Sequence, residues 1–316
     1  MNGKALVASL LTALTLSCQG DATDSEVAPN PARALVETES RVITSSITGR
    51  TYEISVAFPR GYKKSDMLYP ALYAVDANSQ FGMIVETARV LAWEGNPELL
   101  VVGIGYPVGR GWNALGPRAV DLTPTPDQEA IERIHEKYPE FPVLEGSGGA
   151  PGFLRFILEE LIPLIETEYK ASPDGRGLYG HSFGGLFSAY ALFHGEGAFD
   201  RFIVGSPSLG WDNRATFQFE EEYAEDHNSL EARVFISVGG LEEPFFPVGG
   251  LEEPEEDPEA AQYAAVSNVR EFSQVLRGRQ YEGLSQQFHV FEDETHLSVI
   301  PATISRGLRF VYGPQE

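Results

Sequence analysis

Apolar and polar positions along the chain fall into two alternating textures, short apolar runs and longer amphipathic stretches. Glu39 to Thr48 and Thr51 to Pro59 read as two β segments turning at Gly49-Arg50, the hairpin that opens a mixed sheet. Short, mainly apolar runs at Tyr69 to Val75, Leu99 to Gly105, Gly177 to Tyr179, Arg201 to Val204 and Arg233 to Val238 predict strands, the first three of them buried and Leu99 to Gly105 continuously apolar. Gln286 to Phe291 alternates and predicts the last strand. Helical periodicity falls on Phe81 to Trp93, Phe153 to Tyr169 (bent at Pro163), the stretch running up to His194, Asn213 to Ala224, Ala260 to Leu276 and Leu297 to Tyr312. Gly109 to Gly152 is rich in glycine and proline and predicts irregular chain with one short helix, Gln128 to Lys137. Strands alternating with helices predict an α/β fold, a mostly parallel central sheet with helices on both faces.

The first residues have another character. Lys4 precedes an apolar run, Ala5 to Leu16, of signal-peptide length and too short to span a bilayer. Leu14-Thr15-Leu16-Ser17-Cys18 resembles a lipobox, with Thr15 where leucine is usual. The expected division is a signal and lipobox region at 1–18, a polar flexible linker at 19–37 and one α/β domain at 38–316. Two outcomes stay open, a lipid anchor on Cys18 or plain secretion; either predicts an exported protein of the periplasm or cell envelope. Cys18 is the only cysteine, so a mature disulfide is excluded.

Charge narrows the partners. The 316 residues carry 46 acidic and 23 basic side chains, a net charge of −23. Such a field repels phosphates and argues against nucleic acid or an anionic membrane surface. No phosphate loop and no metal-ligand spacing is present, and no cofactor is expected. A small-molecule partner remains, with membrane contact only through an anchor at Cys18.

The candidate chemistry lies in Gly180-His181-Ser182-Phe183-Gly184, a G-x-S-x-G pattern between an apolar strand and an apolar helix. A sharp strand-to-helix turn lifts the serine above the sheet and needs Gly180 and Gly184 where a Cβ would collide. Ser182 is the expected nucleophile, with the Phe183 backbone N–H facing a developing oxyanion. In this order of elements the acid and then the histidine follow the serine. His289 lies within the last strand; His296 lies just beyond it, in Glu292-Asp-Glu-Thr-His296, and is the expected general base. His181 adjoins the serine in sequence and is expected to point away from it. The acid belongs after the Arg233 to Val238 strand, in Gly239-Gly-Leu-Glu242-Glu243-Pro244: Glu242 first, Glu243 second. Val248 to Pro254 repeats Val238 to Pro244, placing Glu252 in an equivalent neighbourhood, but only the first copy follows a strand directly.

At this point the chain resembles the putative-esterase family of α/β-hydrolases, which includes enterochelin and salmochelin trilactone esterases and, more distantly, esterase D. The resemblance spans roughly Thr38 to Tyr312. It rests on Arg118-Ala-Val-Asp121-Leu-Thr123-Pro124, Glu160-Leu-Ile-Pro163, Gly180 to Phe187, Ser206-Pro-Ser208 with Trp211-Asp212, His296-Leu-Ser298-Val299 and Gly307-Leu-Arg-Phe310. It implies the α/β-hydrolase fold and a serine esterase working through an acyl-enzyme on small-molecule esters such as siderophores. It also implies a second oxyanion N–H at Ala77 and substrate contact at Trp211, in a site reshaped by Gly210, where relatives carry a second tryptophan. Arg118 either faces an anionic ester or pairs with Asp121 to hold its own loop. An acyltransferase with the same residues and a non-catalytic surface domain are the rival readings.

Overall fold

The computed structural model describes residues 37–109, 111–137, 139, 143–243 and 265–314. Cys18, the linker up to Val36 and the second copy with Glu252 lie outside these residues. The strands are β1 (Thr38–Thr44), β2 (Thr51–Ala57), β3 (Ala71–Ala74), β4 (Leu100–Gly105), β5 (Gly177–His181), β6 (Arg201–Gly205), β7 (Ser229–Gly239) and β8 (Glu282–Phe291). They form one sheet in the order β1-β2-β4-β3-β5-β6-β7-β8. β1 and β2 are antiparallel, as are β2 and β4; every other pair is parallel. Parallel strands point one way, so the carboxyl ends of β3 to β8 gather along one edge, where loops can assemble a site.

The helices are α1 (Ala77–Leu91), α2 (Leu115–Leu122), α3 (Gln128–Lys137), α4 (Ala150–Phe156), α5 (Ile162–Glu168), α6 (Phe183–His194), α7 (Trp211–Asp226), α8 (Ala265–Arg279) and α9 (Ile300–Tyr312). Alternate strand residues face opposite layers. Tyr73, Leu178, Phe202 and Val234 enter the core with α6, where Phe187 meets Phe153 of α4 and Phe193 meets Phe272 of α8. Ile203 and Phe235 turn to the opposite layer, against Gly307 and Phe310 of α9, and α9 packs beside α1. Each fully buried side chain of this size contributes about 1.5–3 kcal/mol of transfer free energy.

The structure departs from the sequence reading at four places. Helix α1 starts at Ala77, before the expected Phe81, because its polar first turn is satisfied internally. Asn78 Nδ2 donates to the Tyr106 and Gly109 carbonyls at 2.8 and 2.7 Å, and buried Gln80 accepts from Tyr179. Helix α2 forms inside the stretch expected to be irregular, burying Ala119, Asp121 and Leu122. The helix bent at Pro163 is α4 and α5 joined by a π turn, Ile157–Leu161, that ends two residues before the proline. The wider turn makes room for a ring that lacks an N–H and presses on the preceding turn. Helix α7 is interrupted just after Trp211 by three left-handed residues, Asp212, Asn213 and Arg214, at φ 45, 51 and 66°.

Asp121 on α2 is buried, accepts from Tyr106 Oη at 3.1 Å and lies 3.6 Å from Arg50. Burial pushes its carboxyl up to about 6, against the opposing pull of Arg50 and Tyr106. A carboxyl raised in the folded state gives stability that is full below its unfolded value and is lost as pH rises through the folded one. Asp121→Asn should therefore gain stability relative to wild type as pH rises from about 4 to 6, by on the order of 2–3 kcal/mol, and stay level above pH 7. Denaturation midpoints of the two proteins across that range test this. A constant difference would mean that Asp121 does not titrate there.

Candidate active site

Strand β5 ends at His181 and α6 begins at Phe183, leaving Ser182 alone to make the turn at φ 62°, ψ −119°. Strain of this kind persists only where neighbours over-determine it. The Ser182 N–H donates to Gly205 O at 2.9 Å, and its carbonyl accepts from Leu186 N at 2.9 Å and Ser208 N at 3.3 Å. A Cβ on Gly180 would stand 2.0 Å from Gly184 O, and one on Gly184 would stand 2.5 Å from Asp76 Oδ2. Both glycines of the elbow are thus required by close approach, the first by the helix start and the second by a carboxylate.

Beyond β7 the chain makes one tight turn, Gly240–Glu242, that buries the Glu242 side chain to 3% exposure. Its Oε1 accepts from Gly239 N at 2.7 Å and Ser206 Oγ at 2.6 Å. Its Oε2 accepts from His296 Nδ1 at 2.7 Å. A carboxylate on Nδ1–H leaves the His296 Nε2 lone pair available as a base. The loop carrying His296 is fixed to the same turn by Leu241 N donating to Glu294 O at 3.0 Å, and mutual Thr295–Ser298 bonds brace the loop itself. Glu243, the second candidate, is turned away: its carboxylate accepts from Ser267 N at 2.7 Å and from the Ser267 hydroxyl, at the start of α8. Glu252 lies outside the described residues. His289 stays within β8, edge-on to Phe291.

The other expected members fall in different places. Ala77 and Phe183 are the first residues of α1 and α6, whose parent strands β3 and β5 are parallel neighbours with Ala74 paired to Tyr179. First-turn N–H groups have no acceptor within their own helix, so both start points suit an anion. Arg118 does not pair with Asp121. Its Nε and Nη2 fork onto Asp76, and Nη2 also donates to His181 O at 2.9 Å. Asp121 takes Arg50 and Tyr106 in its place because α2, which the sequence pattern did not reveal, turns Asp121 into the core. Trp211 is 4% exposed, donates Nε1–H to Thr125 O at 3.0 Å and meets the Phe183 ring edge-on at 5.3 Å. It reaches the site through Phe183.

His181 lies against the expected base, a contact the sequence does not reveal. Its ring is buried with its centroid 4.6 Å from that of His296, in room left by Gly205. Burial first, then His296 and Arg118, hold its pKa well below the ordinary histidine value, so it is neutral. Nothing in the Ser206-Pro-Ser208 sequence itself gives Ser206 a role. Its φ of 37° and its bond to Glu242 make it the support of that carboxylate, a role carried by three-dimensional proximity alone. Among the described residues, no group of three or more His, Cys, Asp or Glu side chains is arranged to hold a metal ion.

A family model described as putative esterase matches residues 45–295. The ferri-bacillibactin esterase BesA of Bacillus subtilis is 30% identical over 284 residues, covering 88% of this chain and 90% of that protein. A siderophore enterobactin esterase of Emericella nidulans is 31% identical over 279 residues, covering 82% and 89%. The solved structure of siderophore hydrolase EstA from Aspergillus nidulans superposes with a TM-score of 0.75 at 28% identity, covering 90% of this chain and 97% of that one. With an elbow serine, a histidine on a buried carboxylate and this sheet already in place, the chain belongs to the putative-esterase family and is a carboxylic-ester hydrolase of the α/β-hydrolase fold.

Proposed function

We propose that the chain hydrolyses siderophore-type or related small-molecule esters through an acyl-enzyme on Ser182. The observation that carries this reading is the His296 Nδ1 to Glu242 Oε2 bond of 2.7 Å, at the sheet edge where the elbow places Ser182. Ser182 Oγ attacks the ester carbonyl while His296 Nε2 takes its proton. Glu242 holds the imidazole in the required tautomer and stabilises the imidazolium. The N–H groups of Phe183 and Ala77 receive the oxyanion, each worth about 3–4 kcal/mol where such donors have been removed. Collapse of the tetrahedral adduct expels the alcohol, which takes the proton back from His296. Water then repeats the sequence on the acyl-enzyme and releases the acid.

The substrate class follows from the relatives, two of which are named for siderophore esters. Leu241 and Leu297, at 48% and 44% exposure, adjoin Glu242 and His296 in sequence and suit an apolar acyl or aryl group at the rim. Trp211 shapes the site by backing Phe183. Export through the apolar Ala5 to Leu16 run, with a lipid anchor on Cys18, would place the reaction in the cell envelope.

Three outcomes are expected. A fluorophosphonate probe labels wild-type protein at Ser182 and leaves Ser182→Ala unlabelled, and the same variant loses turnover of short acyl, aryl and siderophore trilactone esters. Labelling elsewhere, or turnover surviving in Ser182→Ala, contradicts the mechanism; acyl transfer to added alcohol in preference to water would make the enzyme a transferase. Glu242→Gln lowers kcat by about 10²–10⁴ at nearly constant KM, whereas Glu243→Gln stays within about twofold of wild type. The reverse order would move the acid to Glu243. Mass spectrometry of the native protein finds a lipid-modified N-terminus at Cys18; an unmodified terminus downstream means plain secretion, and an intact Met1 means no export.

A further inference from the structure

We propose that Arg118 is a positioning residue of the oxyanion site: by neutralising Asp76 and tying it to the elbow, it keeps two helix starts free to bind negative charge. The inference rests on the acyl-enzyme reading above. Asp76 is the residue before α1, where an aspartate ordinarily folds its carboxylate back onto the N–H groups of the first turn. Here Asp76 is left-handed, at φ 66°, and makes no such side-chain bond. Only its carbonyl serves the helix, accepting from Ser79 N and Gln80 N at 3.1 Å each. The carboxylate points instead at the other helix, where Gly184 alone could admit it: a Cβ there would come within 2.5 Å of Oδ2.

A buried carboxylate between two helix N-termini is an electrostatic problem for this reaction. Helix starts favour a negative charge, and an unpaired Asp76 would already supply one. The oxyanion formed during attack would then meet a potential that its neighbour had cancelled. Arg118 removes that conflict. Its fork onto Asp76 is buried, with side-chain exposures of 12% and 3%. Its Nη2 also holds the His181 carbonyl at 2.9 Å, immediately before Ser182, and its guanidinium lies 5.4 Å from the Phe183 ring centroid. One side chain therefore links the residue before Ala77 to the residues around Phe183 and so sets the spacing of the two N–H groups. With Nε and Nη2 both engaged internally, Arg118 serves the substrate through the backbone donors it positions.

The test compares Arg118→Met, Arg118→Lys, Asp76→Asn and the double variant Arg118→Met/Asp76→Asn. Each is assayed on neutral p-nitrophenyl acetate and on anionic p-nitrophenyl hemisuccinate, with rates expressed per Ser182 titrated by fluorophosphonate. Arg118→Met is expected to lower kcat about 10- to 100-fold on both esters with little change in KM, the scale of a weakened oxyanion donor. The double variant should recover most of that loss, because removing the carboxylate charge removes the conflict. Arg118→Lys keeps the charge without the fork, should fall between, and remains measurable if the methionine variant is unstable. A rise in KM confined to the anionic ester would overturn the proposal in favour of direct substrate binding. Unchanged kcat per titrated serine would reduce Arg118 to a structural role, and a double variant no better than Arg118→Met would overturn the charge argument. Failure of wild-type protein to label at Ser182 would instead reject the underlying acyl-enzyme reading.

Discussion

A buried carboxylate is tolerated only when its lone pairs are satisfied, and Glu242 is the group on which the candidate site depends. Its three donors come from three places: Gly239 N at the end of β7, Ser206 Oγ at the end of β6 and His296 Nδ1 beyond β8. These strands are consecutive and parallel, with Gly205 paired to Ser237 and Gly239 paired to Phe291. The sheet register thus fixes the carboxylate, and the carboxylate fixes the imidazole. The same edge carries Ser182, whose N–H bonds Gly205 O. Moving any one strand end would leave a buried charge short of a partner, which costs far more than one ordinary hydrogen bond returns.

The second constraint is electrostatic. The chain carries a net charge of −23, yet the reaction proposed for it generates another negative charge at the sheet edge. Local geometry has to override the global excess, and it acts at short range. In the proposed site two helix starts receive that charge, and Asp76, the acidic residue before α1, is matched by Arg118. The neutral His181 ring against His296 adds no positive charge to oppose formation of the imidazolium. The acidic surface remains a matter of solubility and long-range repulsion, while the buried groups determine the chemistry.

Much of this was legible in the sequence because each feature had a local signal. The buried strands announced themselves as apolar runs, Ser182 as the residue between two glycines at a strand-to-helix junction, and His296 as the histidine just past the last strand. Glu242 could be ranked above Glu243 by its distance from the end of β7, and the structure gives each carboxylate a different partner. What stayed hidden depended on contacts between distant segments. The start of α1 is polar and is paid for by Tyr106 and Tyr179, so periodicity pointed four residues too late. Helix α2 contains Gly116 and Pro117, which read locally as loop. Arg118 had two readings, an anionic ester or Asp121 three residues away, and neither names its partner, because no pattern in the chain says that Asp76 comes to meet it. Nor does any local pattern say that a later loop will lay the His296 ring against His181.

Glu242, and no other acid, holds the His296 Nδ1–H. Proton NMR reads that bond directly, as a far-downfield exchangeable imidazole resonance. The resonance should be present in wild type and Glu243→Gln, and absent in Glu242→Gln and His296→Ala variants shown by circular dichroism to be folded. A downfield resonance that survives Glu242→Gln, or that disappears in Glu243→Gln, would contradict the account.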